Sequence, residues 1–443
     1  MLVWLPITLL AGCNSYELFR VTGFEQATFN NNADILFVID SSGSMKEESS
    51  ALALNFETFL GQLTSAEGSD VPRATLSDAV TNYVRESTEN GSIIDYQLAI
   101  TTTSANYSSG ETAGVDEGEA GTLTGAFPVV KRGDDDVATE FRKNLICDTV
   151  YWKDSDLKSD PSYAPADDGS CPLPEGEEIP REYLNCLCPD GWVESEGAGN
   201  EEGLESALDT LCRASDDPPA ECFDDDGDGS TDPGYPILPT DAGSIADFIR
   251  PEASTLVVIV TDEGDGSRRV ANSDGDPTPY LDIFSQFPNR VRFAVIGPSY
   301  QDQDGTCLGG AQTWGVERYQ IAAGATNGTY INLTDQSDGC AATDWGENLT
   351  KLGELLNNQL TSFPLQGVPD VATIRVYTDG KEIGESELVS GIVEDGTAVW
   401  DDGWTYDAAE NAVSFHGSAV PGYNADVRIY YRPLGGIPRE LPI

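Results

Sequence analysis

The chain carries one histidine, His416, and only 24 lysines and arginines against 76 aspartates and glutamates, a formal net charge of −52. Nucleic-acid binding depends on basic side chains that neutralise phosphates, so this shortage excludes it. The same field repels anionic lipid surfaces and gathers cations. General acid–base and nucleophilic catalysis draw on His, or on Cys or Lys tuned by their neighbours. No HExxH, GxSxG or P-loop sequence occurs, and the single histidine sits in Val413-Ser-Phe-His416, which reads as an exposed position in a C-terminal strand. A binding protein is therefore expected rather than an enzyme. Long apolar runs are missing too. The N-terminal one, ending at Ala11, is shorter than the roughly 20 residues that a membrane span requires.

That first run has the length of a signal-peptide core. It ends in Leu10-Ala11-Gly12-Cys13, which resembles the lipobox of bacterial lipoproteins, although no Lys or Arg precedes it. An ordinary cleaved signal peptide is the alternative. The resemblance implies that residues 1–12 are removed, that Cys13 is acylated, and that residues 13–32 form a linker. The protein would then sit in the bacterial cell envelope, at the outer membrane or cell surface, touching the membrane through its lipid only. An oxidising compartment suits the other eight cysteines, Cys147, Cys171, Cys186, Cys188, Cys212, Cys222, Cys307 and Cys340. Four disulfides are expected, with a connectivity that sequence does not reveal. Cys186-Leu-Cys188 has neither the CxxC spacing nor the histidine partners of a zinc site.

The 443 residues suffice for two or three domains of roughly 100–200 residues. Asp34-Ile-Leu-Phe-Val-Ile-Asp40 is a continuous apolar run, the pattern of a strand buried on both faces of a parallel sheet. Leu52, Phe56, Phe59, Leu60 and Leu63 follow at helical spacing. Further strands are read at 95–101, 256–261, 291–296 and 329–333, with a helix at Tyr319-Gln-Ile-Ala-Ala and a closing one marked by Leu349, Leu352, Leu356 and Leu360. Alternating strands and helices imply a doubly wound, mostly parallel α/β sheet over residues 33–362. Residues 104–240 hold most of the cysteines with much Gly, Pro and Asp, and read as a disulfide-braced insertion broken by a core helix near Glu201–Leu211. Short alternating strands and Asp-Gly turns over 367–443 read as a small β-sandwich-like domain.

Asp40-Ser41-Ser42-Gly43-Ser44 directly follows the first buried strand, where doubly wound sheets bind ligands. One carboxylate and two hydroxyls at alternate positions are hard oxygen ligands suited to Mg2+, which keeps several of its waters. A serine-rich turn that caps the next helix is the plainer reading. A second carboxylate arrives in Val-Ile-Val-Thr261-Asp262-Glu263. DILFVIDSSGSM followed by VVIVTDE resembles the von Willebrand factor A family and its metal-ion-dependent adhesion site. The resemblance implies a Mg2+ or Mn2+ ion held by Asp40, Ser42, Ser44 and Asp262, and a protein or surface partner whose acidic group completes the coordination. The family's threonine loop is not matched. Glu201 or Glu202, in Gly197-Ala-Gly-Asn-Glu201-Glu202-Gly203, stands where that threonine is expected. A carboxylate there would raise the site's negative charge or make the metal purely structural, and a scaffold whose metals only stabilise the fold is the alternative function.

A second acidic motif reads Asp224-Asp-Asp226-Gly-Asp228-Gly229-Ser230-Thr-Asp232. It resembles the opening of an EF-hand loop, but Tyr235 stands where the closing glutamate belongs. Loops of the thrombospondin type 3 kind are closer, which implies structural Ca2+ bound by Asp224, Asp226, Asp228, Ser230 and Asp232. A solvated acidic linker is the alternative, and Asn272-Ser-Asp274-Gly-Asp276 is a weaker echo of the motif.

Overall fold

The computed structural model describes residues 24–28, 32–64, 94–105, 121–153, 155, 157–174, 179–193, 201–223, 245, 248–250, 253–267, 276–287, 291–298, 315–335, 341–342, 344–365, 367–386, 388–392, 398–400, 403–408, 411–416, 419–421 and 425–434. The chain divides into two compact units. One is Asn30–Ser362 with Val420–Asn424, and the other is Met1–Phe29, Phe363–Ala419 and Ala425–Ile443. Among the described residues no helix is long and apolar enough to cross a membrane.

The larger unit is built on a six-stranded sheet. Its strands are β2 (Asn32–Ile39), β3 (Asp95–Thr102), β4 (Val129–Lys131), β5 (Ser254–Val260), β6 (Val291–Gly297) and β7 (Thr329–Asn332), in the order β4-β3-β2-β5-β6-β7. All neighbours run parallel except the β3–β4 pair. A two-stranded ribbon, β8 (Thr334–Asp335) with β9 (Ala341–Ala342), follows β7.

Central β2 is apolar throughout because both of its faces are covered. Ile35, Phe37 and Ile39 point to one side, where they join Phe56 and Phe59 of α1 (Lys46–Thr64), Phe141 and Leu145 of α2 (Val137–Ile146), and Leu349 and Leu352 of α7 (Trp345–Thr361). Leu36 and Val38 point to the other, towards Leu204 and Leu208 of α4 (Gly203–Ala214), Tyr280 of α5 (Thr278–Phe284) and Tyr319 of α6 (Val316–Ala325). The alternation is that of any strand, and here both rows are dry.

The stretch 104–240 is more than an insertion. It supplies the edge strand β4 and the helix α2, whose Phe141 ring stacks on Phe56 with centroids 3.6 Å apart and meets Phe37 edge-on at 5.0 Å. The Gly, Pro, Asp and Cys around α2 hide its apolar positions from a periodicity reading. Among the described residues three disulfides form: Cys147–Cys188, Cys171–Cys186 and Cys212–Cys222. Cys147 and Cys188 cap the C-termini of α2 and α3 (Arg181–Leu187), so their bridge ties the ends of two helices. Cys186 and Cys188 have different partners. Cys307 and Cys340, the remaining candidates for a fourth bridge, and Cys13 lie outside the described residues. Cys147→Ser with Cys188→Ser opens a span of 41 residues. The expected loss is about 3–4 kcal/mol by the loop-closure argument, read as a lower urea midpoint against the oxidised wild type.

In the smaller unit, β11 (Pro369–Thr378), β12 (Lys381–Ile383) and β17 (Asp426–Pro433) form an antiparallel sheet with β1 (Phe24–Thr28), in the order β1-β17-β11-β12. Part of the expected 13–32 linker is therefore a strand, with Phe24 opposite Tyr430 and Thr28 opposite Asp426. Its partner comes from the far end of the sequence, and no local pattern announces such a pairing. Asp379 and Gly380, both at positive φ, make the two-residue turn between β11 and β12. A three-stranded sheet orders β10 (Ser362–Pro364), β16 (Ala412–His416) and β15 (Gly403–Asp407) as β10-β16-β15, and β13 (Leu388–Ile392) pairs with β14 (Ala398–Trp400). His416 is half-buried rather than exposed. Its Nε2 lies 2.7 Å from the Thr405 hydroxyl, and burial lowers its pKa.

Candidate functional site

β2 and β5 are adjacent, and the strand order turns away from them in both directions, so the loops at their carboxyl ends part and leave a crevice. Asp40 follows β2 into this crevice and is fully buried. Its N–H donates to the Val260 carbonyl at 2.9 Å, which stitches the two strand ends together. Its carboxylate is held on both sides: Oδ1 accepts from the Ser42 N–H at 2.8 Å and Oδ2 from the Thr261 hydroxyl at 2.8 Å. The Ser42 and Ser44 hydroxyls are 2.9 Å apart, and Ser44 Oγ donates to Asp262 Oδ1 at 3.2 Å. Asp40, Ser42, Ser44 and Asp262 thus form one connected cluster. Thr261, which the sequence reading passed over, fixes the orientation of Asp40.

A helix-capping role for Ser42 does not survive. It stands at the N-cap of the short turn Gly43–Met45 before α1, yet its side chain makes no capping hydrogen bond. The hydroxyl is turned towards Ser44 instead.

The structure separates Glu201 from Glu202. The Glu202 N–H donates to the Thr103 carbonyl at 2.8 Å, fixing the start of α4 against the end of β3. Glu201 is 4% exposed, and its carboxyl feels the charges of Asp40 and Glu263. Glu201 is the third-loop residue that reaches the cluster. Gly203 follows because a Cβ there would collide with the Tyr319 hydroxyl.

α4 is capped by a distant loop, another feature absent from the sequence reading. Asp265 Oδ1 accepts from the Leu204 N–H at 3.2 Å, and Ser267 Oγ accepts from the Glu205 N–H at 2.9 Å. Ser267 in turn donates to Asp265 Oδ1 at 2.7 Å. Arg318 of α6 locks this loop: its Nη1 lies 3.1 Å from Asp265 Oδ2 and donates to the Ser267 carbonyl at 2.6 Å. The loop that follows Asp262 and the helix that follows Glu201 are therefore held together.

Burial governs the electrostatics. It pushes Asp40 up to about 7, with Asp262 adding to the shift. Glu201 rises to about 10, from burial first and then from Asp40 and Glu263. Burial also raises Asp262, against the pull of its Ser44 hydrogen bond. Glu48 of α1, raised to about 7 by burial, leaves Oε2 buried with no hydrogen-bond partner among the described residues and also feels Asp262. Desolvated carboxyls that repel one another are a setting that a bound cation would relieve.

Among the described residues no group of three or more His, Cys, Asp or Glu side chains is arranged to hold a metal. The candidate set instead pairs two carboxylates with two hydroxyls, all of them hard oxygen donors. Such a set fits a cation that retains much of its water shell. Asp224, Asp226, Asp228, Ser230 and Asp232 lie outside the described residues.

No family model matches the chain, and no curated protein matches it. Among solved structures it is similar to a human COPII-coat protein, with 9% identity and a TM-score of 0.30 over 93% of this chain and 46% of that one. The pilus adhesin RrgA of Streptococcus pneumoniae gives 9% identity and a TM-score of 0.24 over 92% and 57%. The pilus adhesin SpaC of Lactobacillus rhamnosus GG gives 10% and 0.30 over 93% and 41%. The chain thus spans about half the length of these proteins, and likenesses at such scores carry no weight for its function.

Proposed function

We propose that this protein binds a partner at the cell envelope through a divalent cation, Mg2+ or Mn2+, held by Asp40, Ser42, Ser44 and Asp262. One observation carries the reading: two carboxylates and two hydroxyls from two loops converge at the β2–β5 crevice, with the Ser42 hydroxyl not spent on capping a helix. The cation would supply a coordination position that the partner fills. The role is binding rather than catalysis, in keeping with a cluster that contains no His, Cys or Lys. Acylation at Cys13 and structural Ca2+ at Asp224–Asp232 complete the proposal.

Isothermal titration of Mg2+ into metal-free protein provides the test. Ser42→Ala with Ser44→Ala is expected to abolish the binding heat and to leave the urea midpoint within about 0.5 kcal/mol of wild type, since neither hydroxyl packs in the core. Equal heats in both proteins would sink the reading. A scaffold role has its own support, because Asp40 is already satisfied by Ser42 and Thr261 without any cation. It predicts equal partner capture with Mg2+ present and after chelation.

A further inference from the structure

Asp40 and Asp262 reach the cluster from the ends of different strands, so one cation can use both only if those ends keep a fixed spacing. The backbone supplies one tie, from the Asp40 N–H to the Val260 carbonyl. A side chain supplies the other. The Thr261 hydroxyl accepts from the Glu263 N–H at 3.0 Å and donates to Asp40 Oδ2 at 2.8 Å. The Glu263 carbonyl, at 3.4 Å, is the farther and uncharged acceptor, so the one hydroxyl proton goes to the carboxylate. Thr261 and Glu263 flank Asp262, whose Oδ1 accepts from Ser44 Oγ, and Ser44 meets the Ser42 hydroxyl. The Ser42 N–H then returns the chain of contacts to Asp40 Oδ1. The circuit closes through Thr261.

We propose that Thr261 is a positioning residue that sets the choice of cation: its hydroxyl fixes Asp40 against the turn that carries Asp262, and this fixed pair selects Mg2+ over Ca2+. The proposal rests on the cation-binding reading above. Mg2+ demands a near-ideal octahedron and keeps several waters, so it gains most from ligands that are already in place. Ca2+ gathers six to eight oxygens in a looser shell, which requires ligands that turn and spread. Asp40 is held at both oxygens and cannot turn to follow a larger ion. Thr261 and Asp40 are fully buried, so their hydrogen bond lies out of the solvent's reach and water does not replace it. Without that bond the two loops are joined at this level by the backbone tie alone.

The test follows Mn2+ on full-length protein by electron paramagnetic resonance while Mg2+ or Ca2+ is added. Mn2+ held by the wild type but not by Ser42→Ala with Ser44→Ala reports on this site and excludes ions taken up elsewhere on the acidic chain. The quantity read is the ratio of the Ca2+ and Mg2+ concentrations that release half of it. In the wild type Mg2+ is expected to act at the lower concentration. Thr261→Val, close in shape but without the hydroxyl, is expected to shrink the ratio about tenfold, the order of effect of a hydrogen bond to a charged group. Thr261→Ser should keep the ratio. If Thr261→Val does not fold, Thr261→Cys, whose thiol is a weak donor, carries the same expectation. A purely structural role for Thr261 would weaken both ions alike and leave the ratio unchanged, which would overturn the proposal, as would a wild type that prefers Ca2+ or a Thr261→Ser that behaves as Thr261→Val. A wild type that holds no more Mn2+ than the double serine variant would instead refute the cation-binding reading, and this inference with it.

Discussion

Replacing Arg318 by alanine is expected to cost about 3–5 kcal/mol of folding stability, as for other buried ion pairs stripped of one partner. Arg318 and Asp265 have side chains only 3% and 0% exposed, so the carboxylate has no route to water once the guanidinium is gone. Burial already raises the pKa of Asp265, and Arg318 is the first of the influences that oppose the shift. The loss reaches beyond the pair. Arg318 also donates to the Asp265 and Ser267 carbonyls, and those two residues cap α4, the helix that directly follows Glu201. Urea unfolding of Arg318→Ala should thus show a large drop in midpoint. Asp265→Asn combined with Arg318→Met should recover part of it, because no unpaired charge remains. A loss of under about 1 kcal/mol for the single change would mean that Asp265 finds another partner.

Phe141→Ala should be comparably severe, about 3–5 kcal/mol. The ring lies between Phe56 and Phe37, with Phe59 adjoining both, in a cluster where all four are fully buried. Its removal leaves a cavity bounded by β2 and α1, two elements that other contacts hold in place, so collapse into the space is limited. Phe141→Leu should recover much of the loss by refilling most of the volume. A dispensable insertion would instead tolerate Phe141→Ala with no change in unfolding midpoint.

Phe141 also shows where the sequence stops being readable. The strand at 34–40 and the helix bearing Leu52, Phe56 and Phe59 were plain, because an unbroken apolar run and a helical stripe each carry their own period. The helix bearing Phe141 has only ten residues, and the Asp136 before it adopts a left-handed backbone. Such a segment reveals itself only through what it packs against. In the cluster, Asp40, Ser42, Ser44 and Asp262 were legible from spacing after strands. Thr261, Asp265, Ser267 and Arg318 were not, since each acts on a residue brought near by the fold and matches no local pattern. Between Glu201 and Glu202 the sequence was silent. Both residues precede α4, and it is the carboxyl of Glu201 that feels the charge of Asp40.

The pairing of β1 with β17 bears on the order of folding. As the chain emerges from its N-terminus, Phe24–Thr28 has no partner until Asp426–Tyr430 has appeared, so the edge of the smaller sheet closes last. The larger unit, whose strands all lie between these two, completes its own sheet first. During folding the smaller unit would therefore remain open after the larger one has closed its sheet. An unpaired β1 in that interval is a strand edge that a chaperone, or another copy of the chain, would meet before its own partner does.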